Sequence, residues 1–158
     1  MAQSAAKNLV PCTLELGGKS PAILDESCDP DLVAKIVLFA KMVNCGQICI
    51  STDYLLCHES KLDAFMAAFK REIANGYADG ADEETCGKII TAFHYKRLCG
   101  MLADHGGTVL HGNADAHKDM KLTPTVVLNP RKDSAMMTEE IFGPIIPIIT
   151  YKHIDEAI

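Results

Sequence analysis

The stretch that decides how this chain is organised reads Val43-Asn44-Cys45-Gly46-Gln47-Ile48-Cys49-Ile50-Ser51. It holds two thiols four residues apart around a Gly-Gln pair, at the point where a long apolar helical pattern ends. A helix end followed by a turn exposes side chains, so at least one of these cysteines is expected at an exposed turn. Because only the thiolate attacks well, and local charge and exposure set its reactivity, Cys45 and Cys49 are candidate nucleophiles.

Outward from this stretch, predicted helices and strands alternate. The helix before it, about Pro30 to Val43, begins with Asp29 as N-cap and Pro30 at the first helical position. Apolar residues occupy almost every side of this helix and are interrupted mainly by Lys35 and Lys41, which predicts a buried helix. Further helices are predicted from Ser60 to Gly76 and from Thr91 to Gly106, with a loop from Tyr77 to Cys86, and strands at Thr13–Leu16, Ala22–Leu24, Tyr54–Cys57, Thr108–Leu110, Thr125–Leu128 and Ile145–Tyr151. This order predicts an α/β fold, a mostly parallel sheet flanked by helices.

Length and composition indicate one globular domain. The chain has 158 residues, 48% of them hydrophobic, enough for one sizeable core. Its 15 basic and 21 acidic side chains give a formal charge of -6. Nucleic acids and anionic membranes require a concentrated cationic face, so neither is expected as the main partner.

Targeting signals and cysteine usage favour the cytoplasm. No apolar run approaches the roughly 18 residues of a membrane span, and the first residues lack the pattern of a signal peptide. The seven cysteines are an odd number with irregular spacing, unlike a disulfide framework. The six histidines show no metal-ligand spacing with the cysteines, so no metal site is expected.

Three segments together resemble the aldehyde dehydrogenase superfamily. They are Leu14-Glu15-Leu16-Gly17-Gly18-Lys19-Ser20-Pro21, Asn44-Cys45-Gly46-Gln47-Ile48-Cys49 and Glu139-Glu140-Ile141-Phe142-Gly143-Pro144, in the order and approximate spacing of that family. The resemblance extends over nearly the whole chain and includes Thr123-Pro124-Thr125. The pairing of the second segment with Asp53-Tyr54 is most similar to the fatty and aromatic aldehyde branch, often called class 3.

The resemblance implies a role for four residues. Cys49 corresponds to the nucleophile, which forms a thiohemiacetal and then a thioester while hydride passes to NAD or NADP. Glu15 corresponds to the general base, Glu140 to the residue that binds the nicotinamide ribose, and Phe142 to one that packs near the nicotinamide. From the residues alone, Glu15 could equally be an exposed strand residue, Glu140 part of a solvated pair, Phe142 a core residue and Cys49 a structural thiol.

The resemblance also implies that the chain is incomplete. Residues 1–158 correspond to a catalytic-domain segment, truncated at both ends, because the family's cofactor-binding domain precedes the Glu15 segment. The expected substrate is a small-molecule aldehyde and the expected assembly a homo-oligomer. As an isolated chain it is expected to show little or no dehydrogenase turnover and weak ester hydrolysis. Two alternatives remain: a non-catalytic fragment or interaction module that pairs with a partner chain, and a thiol redox protein using Cys45 and Cys49.

Overall fold

One five-stranded sheet forms the centre of the protein. A computed structural model describes residues 1–76, 87–112 and 119–158. Its strands are β1 (Pro21–Leu24), β2 (Tyr54–His58), β3 (Thr108–His111), β4 (Thr125–Leu128) and β5 (Ile145–Tyr151). They lie in the order β1-β2-β5-β4-β3, and every neighbouring pair is parallel except β3 with β4. The predicted α/β fold with a mostly parallel sheet is therefore confirmed.

The helices connect these strands. They are α1 (Ala2–Lys7), α2 (Pro30–Met42), α3 (Leu62–Gly76), α4 (Ala92–Ala103) and α5 (Ala135–Thr138), with short 3-10 turns at Val43–Gly46, Glu59–Lys61 and Ile154–Glu156. The predicted caps are present, since Asp29 Oδ1 accepts the N–H of Asp31 at 2.9 Å and Thr91 Oγ1 accepts the N–H of His94 at 3.2 Å. Within the described residues, no helix has both the length and the apolar character needed to cross a membrane. The predicted loop from Tyr77 to Cys86 lies outside the described residues.

The sheet separates two apolar cores. On one face, α2 and α3 pack against strand residues that include Val126 and Ile146. On the other face, α4 and α5 pack against Val127 and Ile145. Successive side chains of a strand point to opposite faces, so neighbouring residues of β4 and of β5 contribute to different cores. The inner strands are therefore apolar on both sides, as expected for a sheet covered by helices on both faces.

The predicted strand at Thr13–Leu16 is wrong. The segment has no regular secondary structure, and in the described chain it pairs with no strand. Its alternating residues do not face a core, since the side chain of Leu16 is 87% exposed. A strand needs a hydrogen-bonded neighbour, and the alternating pattern of four residues does not reveal whether one is present. The ladder starts only at Pro21, in β1.

The prediction that α2 is buried all round is also wrong. One face of α2 packs on the sheet and on α3 through residues such as Val37 and Leu38. The opposite face carries three exposed apolar side chains, with Phe39 67% exposed; they are Leu32, Ile36 and Phe39. Lys41, expected to be a polar interruption, is instead almost fully buried. The residue types on each side of a helix do not show which side a neighbouring helix or strand will cover.

The parallel sheet brings the three segments of interest to one edge. The segment with Glu15 precedes β1, the segment with Cys49 precedes β2, and the segment with Glu140 precedes β5. These three strands are adjacent and parallel, in the order β1-β2-β5. Residues 15, 49 and 140 therefore meet at the amino ends of the strands.

Candidate active site

The end of α2 turns sharply to form the loop that carries Cys49. Asn44, Cys45 and Gly46 have φ angles of 50°, 55° and 70°, so three consecutive residues lie in the left-handed region. For residues other than glycine this conformation is strained, and such strain is concentrated at functional sites. Gly46 is required for a second reason: a Cβ there would lie 2.5 Å from the carbonyl oxygen of Gly143.

The side chain of Gln47 holds this loop. Its amide nitrogen donates to the carbonyl oxygens of Asn44 at 2.9 Å and of Lys88 at 3.2 Å. Its amide oxygen accepts the N–H of Ile90 at 2.9 Å. Gln47 thus ties the turn to the segment that leads into α4, and the strained conformation is fixed from two sides. The sequence motif includes Gln47, but nothing in its spacing reveals this bridging role.

The structure distinguishes the two cysteines of the loop. Cys49 is exposed and lies in a turn closed by the N–H of Ser51, which donates to the carbonyl oxygen of Ile48 at 3.0 Å. Cys45 is buried in the core beneath α4, where its Sγ lies 3.0 Å from the carbonyl oxygen of Gly87. The expected exposed turn is therefore present at Cys49, which is the thiol that a reactant could reach.

A cavity of about 540 Å³ brings all four candidate residues together. Its lining includes Glu15, Cys49, Glu140 and Phe142, which come from three separate segments of the chain. Leu16 and Phe142 give part of the wall apolar character. Glu15 reaches it from the irregular segment before β1, not from a strand. The arrangement places a thiol, two carboxylates and an aromatic ring around one space.

Two residues of α4 line the same cavity and were not singled out from the sequence. His94 and Arg97 are three positions apart on one helical face, and this spacing was the available signal. Arg97 donates to the carbonyl oxygens of Glu140 at 3.0 Å and Ile141 at 2.5 Å. It therefore fixes the backbone that carries Glu140. The adjacent Phe142 has a φ angle of 50° and is a further strained residue at the site, besides Asn44 and Cys45.

A buried lysine joins the loop of Cys49 to the loop of Glu140. Lys41 is 1% exposed, and its Nζ donates to the carbonyl oxygen of Gly143 at 3.3 Å. Desolvation lowers the pKa of Lys41 to about 8, against the opposing effect of the Asp53 carboxylate. The last turn of α2 is thereby attached to the chain just after Phe142.

His94, one of the residues that line the cavity, has an unsatisfied polar atom. His94 Nδ1 is buried and has no hydrogen-bond partner within the described part of the protein. A buried polar atom without a partner is costly to stability, and this one has almost no exposed surface through which a ligand could reach it. Across residues 1–76, 87–112 and 119–158, no group of three or more His, Cys, Asp or Glu side chains could hold a metal ion. The carboxylates of Glu15 and Glu140, which line the cavity, can offer polar contacts to a ligand.

Comparison with known proteins extends over the whole chain. The pattern that defines the Aldehyde dehydrogenase family matches residues 1–158. The chain is 39% identical over 157 residues to the 4,4'-diaponeurosporen-aldehyde dehydrogenase of Staphylococcus aureus, covering 99% of this chain and 34% of that one. It is 39% identical over 156 residues to aldehyde dehydrogenase family 3 member B1 of Mus musculus, covering 98% of this chain and 33% of that one.

A solved structure of an aldehyde dehydrogenase also matches this chain. The fold matches that of an NAD-dependent aldehyde dehydrogenase from Sinorhizobium meliloti with a TM-score of 0.83 and 30% identity, over 99% of this chain and 32% of that one. The chain thus spans about a third of the length of the relatives it matches. The resemblance to the class 3 branch is confirmed by the family 3 relative.

Proposed function

The chain belongs to the aldehyde dehydrogenase family, and from this premise we propose that it is the catalytic segment of an enzyme that oxidises an aldehyde to a carboxylic acid. The observation that carries the proposal is the cavity in which Cys49, Glu15 and Glu140 meet. Because the chain spans a third of its relatives' length, the complete activity, and the assignment of residues 1–158 to one part of a longer enzyme, belong to the proposal.

In the proposed reaction the Cys49 thiolate adds to the aldehyde carbon and forms a thiohemiacetal. When this intermediate collapses, its oxygen re-forms the carbonyl, hydride leaves the carbon, and a thioester to Cys49 remains. Glu15 then takes a proton from a water molecule, which attacks the thioester carbon. The acid is released and the thiolate of Cys49 is restored. A covalent intermediate divides one difficult oxidation into two easier steps.

The cofactor in this proposal is NAD or NADP, whose nicotinamide ring accepts the hydride when bound. The residues present fit such a group, because the carboxylate of Glu140, which lines the cavity, can accept hydrogen bonds from ribose hydroxyls. Phe142 supplies an apolar surface beside them. The relative from Sinorhizobium meliloti is NAD-dependent by name, which supports the assignment.

The proposed substrate is an apolar aldehyde. Leu16 and Phe142 line the cavity next to Cys49, and an apolar wall favours a hydrocarbon chain or ring over a charged group. The Staphylococcus aureus relative acts, by its name, on 4,4'-diaponeurosporen-aldehyde. A homo-oligomer and a cytoplasmic location are retained as parts of the proposal; the exposed apolar face of α2 supports the first.

Hydrolysis of p-nitrophenyl acetate tests the role of Cys49 without a cofactor. The wild-type chain should release p-nitrophenolate in a burst, followed by slow turnover, and mass spectrometry should find the acetyl group on Cys49. Cys49→Ala should reduce hydrolysis to the background rate, while Cys12→Ala, which removes another exposed thiol outside the cavity, should not change it. Equal rates for wild type and Cys49→Ala would remove Cys49 from the mechanism.

A further inference from the structure

A largely buried ion pair lies where the three segments of the site meet. Lys19 Nζ is 2.5 Å from Asp53 Oδ2, and the Asp53 side chain is only 3% exposed. Lys19 follows Glu15 by four residues, and Asp53 follows Cys49 by four. The two backbones are also joined directly, since the N–H of Asp53 donates to the carbonyl oxygen of Ser20 at 2.8 Å. The pair therefore connects the base segment with the nucleophile segment.

The remaining hydrogen bonds of this pair go to the third segment. Asp53 Oδ1 accepts the N–H of Ile141 at 2.8 Å. Lys19 Nζ donates to the carbonyl oxygens of Glu139 and Met136, each at 2.9 Å. An ammonium group has three N–H donors, and Lys19 thus has one for each of its three oxygen partners. Both members of the pair bind backbone atoms next to Glu140 or in helix α5 just before it.

We infer that the Lys19–Asp53 pair positions Glu15 and Glu140 relative to Cys49. Neither residue lines the cavity, so both act through the backbone that they hold. The inference rests on the proposed function for the roles of Cys49 and Glu15. Such a network is effective in a buried place because the low dielectric strengthens each bond, and loss of one partner leaves the other charge unpaired.

The contacts define how the effect reaches Glu15. The carboxylate of Asp53 holds the N–H of Ile141. Because Ile141 directly follows Glu140, this bond also fixes the position of the Glu140 backbone. The Glu140 side chain packs against the Cα of Gly17, two residues after Glu15. A shift of the Glu140 loop therefore changes the turn that carries the base. Deacylation, which uses Glu15, should be more sensitive to this shift than acylation of Cys49.

The test compares burst and turnover in p-nitrophenyl acetate hydrolysis by the chain and its variants. A variant that is only less well folded loses burst amplitude and turnover together. Asp53→Asn and Lys19→Met should instead lower the turnover per burst equivalent by about 10–100-fold, since a misplacement of about 1 Å caused by a remote mutation can cost about 100-fold. The double variant should be no worse than the worse single one, because the two act as a unit.

Two further measurements complete the test. Amide hydrogen exchange at Ile141 should be faster in Asp53→Ala, which removes the acceptor of that N–H. Asp104→Asn, which breaks an exposed pair with Arg131, should leave both the turnover per burst equivalent and the exchange unchanged. If Asp53→Asn does not fold, Lys19→Met carries the same expectations. The inference would be overturned by folded variants in which both the turnover per burst equivalent and the amide exchange rate at Ile141 equal those of the wild type. If wild-type hydrolysis does not depend on Cys49, the proposed function fails, and the exchange rate at Ile141 still decides whether the pair fixes this loop.

Discussion

Gly17 and Glu140 are so close that a methyl group on the Cα of Gly17 would overlap Glu140 Oε2. Gly17 also has a φ angle of +115°, a conformation that residues with a side chain rarely adopt. The turn just after Glu15 and the loop before β5 are thus fitted to one another, although Gly17 and Glu140 are 123 positions apart in the sequence. The φ angle requires glycine here, and any Cβ would in addition displace the Glu140 carboxylate.

Gly17→Ala should therefore impair the site. The new methyl group must displace the Glu140 carboxylate, and the backbone strain at this φ angle costs about 1–3 kcal/mol. We expect turnover of p-nitrophenyl acetate to fall by about 10–100-fold, because the displaced turn carries Glu15 and a misplacement of about 1 Å can cost about 100-fold. Gly18→Ala is the matched control, because a Cβ at Gly18 would lie 3.6 Å from the carbonyl oxygen of Cys49, an ordinary contact. Equal losses in the two variants would contradict the explanation.

Glu15→Gln should slow deacylation. An amide cannot take the proton of the attacking water, and general base catalysis contributes about 10²–10⁴-fold. Steady-state turnover should fall by that factor, while the burst amplitude stays within about twofold of wild type if acylation does not need the base. Glu26→Gln changes an exposed carboxylate beyond the opposite end of β1 and should have no effect. A Glu15→Gln variant with unchanged turnover would exclude Glu15 as the base.

The sequence predicted where helices begin better than it predicted which strands pair and which side chains are buried. Caps such as Asp29 act within a few residues, so the start of α2 could be read directly. The strand predicted at Thr13–Leu16 is absent because pairing depends on residues far along the chain. In the same way, no local pattern shows that Lys41 is buried, since the atom that it binds belongs to Gly143, 102 positions later.

For the candidate site, the resemblance identified four of the residues that line the cavity, but not His94 and Arg97, which also line it, nor the residues that hold the loops in place. One cavity is lined by all four residues that the three segments suggested, which are Cys49, Glu15, Glu140 and Phe142. The supporting contacts of Gln47 were invisible in the sequence because they end on backbone atoms, which carry no residue-specific signal.

Gly46→Ala should destabilise the protein and distort the Cys49 loop. At a φ angle of +70° an alanine is strained, and its Cβ would lie 2.5 Å from the carbonyl oxygen of Gly143, which is backbone and cannot rotate away. Together these effects should cost about 2–5 kcal/mol of unfolding free energy. Gly100→Ala, inside α4 where a Cβ has no neighbour within 4 Å, should instead stabilise by about 0.5–1 kcal/mol. Urea unfolding of both variants checks the contrast, and similar changes in the two would contradict it.

Lys41 should make stability depend on pH above neutrality. Its pKa is about 8 in the folded protein against an ordinary value of 10.5, because burial disfavours the charged form. Below about pH 8 the side chain is charged in both states and the folded state bears the full cost of burying the charge. Between pH 8 and 10.5 the unfolded state binds a proton that the folded state does not, so the unfolding free energy rises with pH. The rise attributable to Lys41 is about 3 kcal/mol, at about 1.4 kcal/mol per pKa unit.

The difference between wild type and Lys41→Met isolates this contribution. Other groups titrate in the same range: burial raises the pKa of the Cys57 thiol to about 11, which lowers stability as the pH increases, but does so in both proteins. The unfolding free energy of wild type minus that of Lys41→Met, measured in urea at several pH values, should therefore increase by about 3 kcal/mol between pH 7.5 and 10.5. Lys35→Met, on the same helix but with an exposed side chain, should give a flat difference. A flat difference for Lys41→Met as well would mean that its ammonium group is not desolvated beside Gly143.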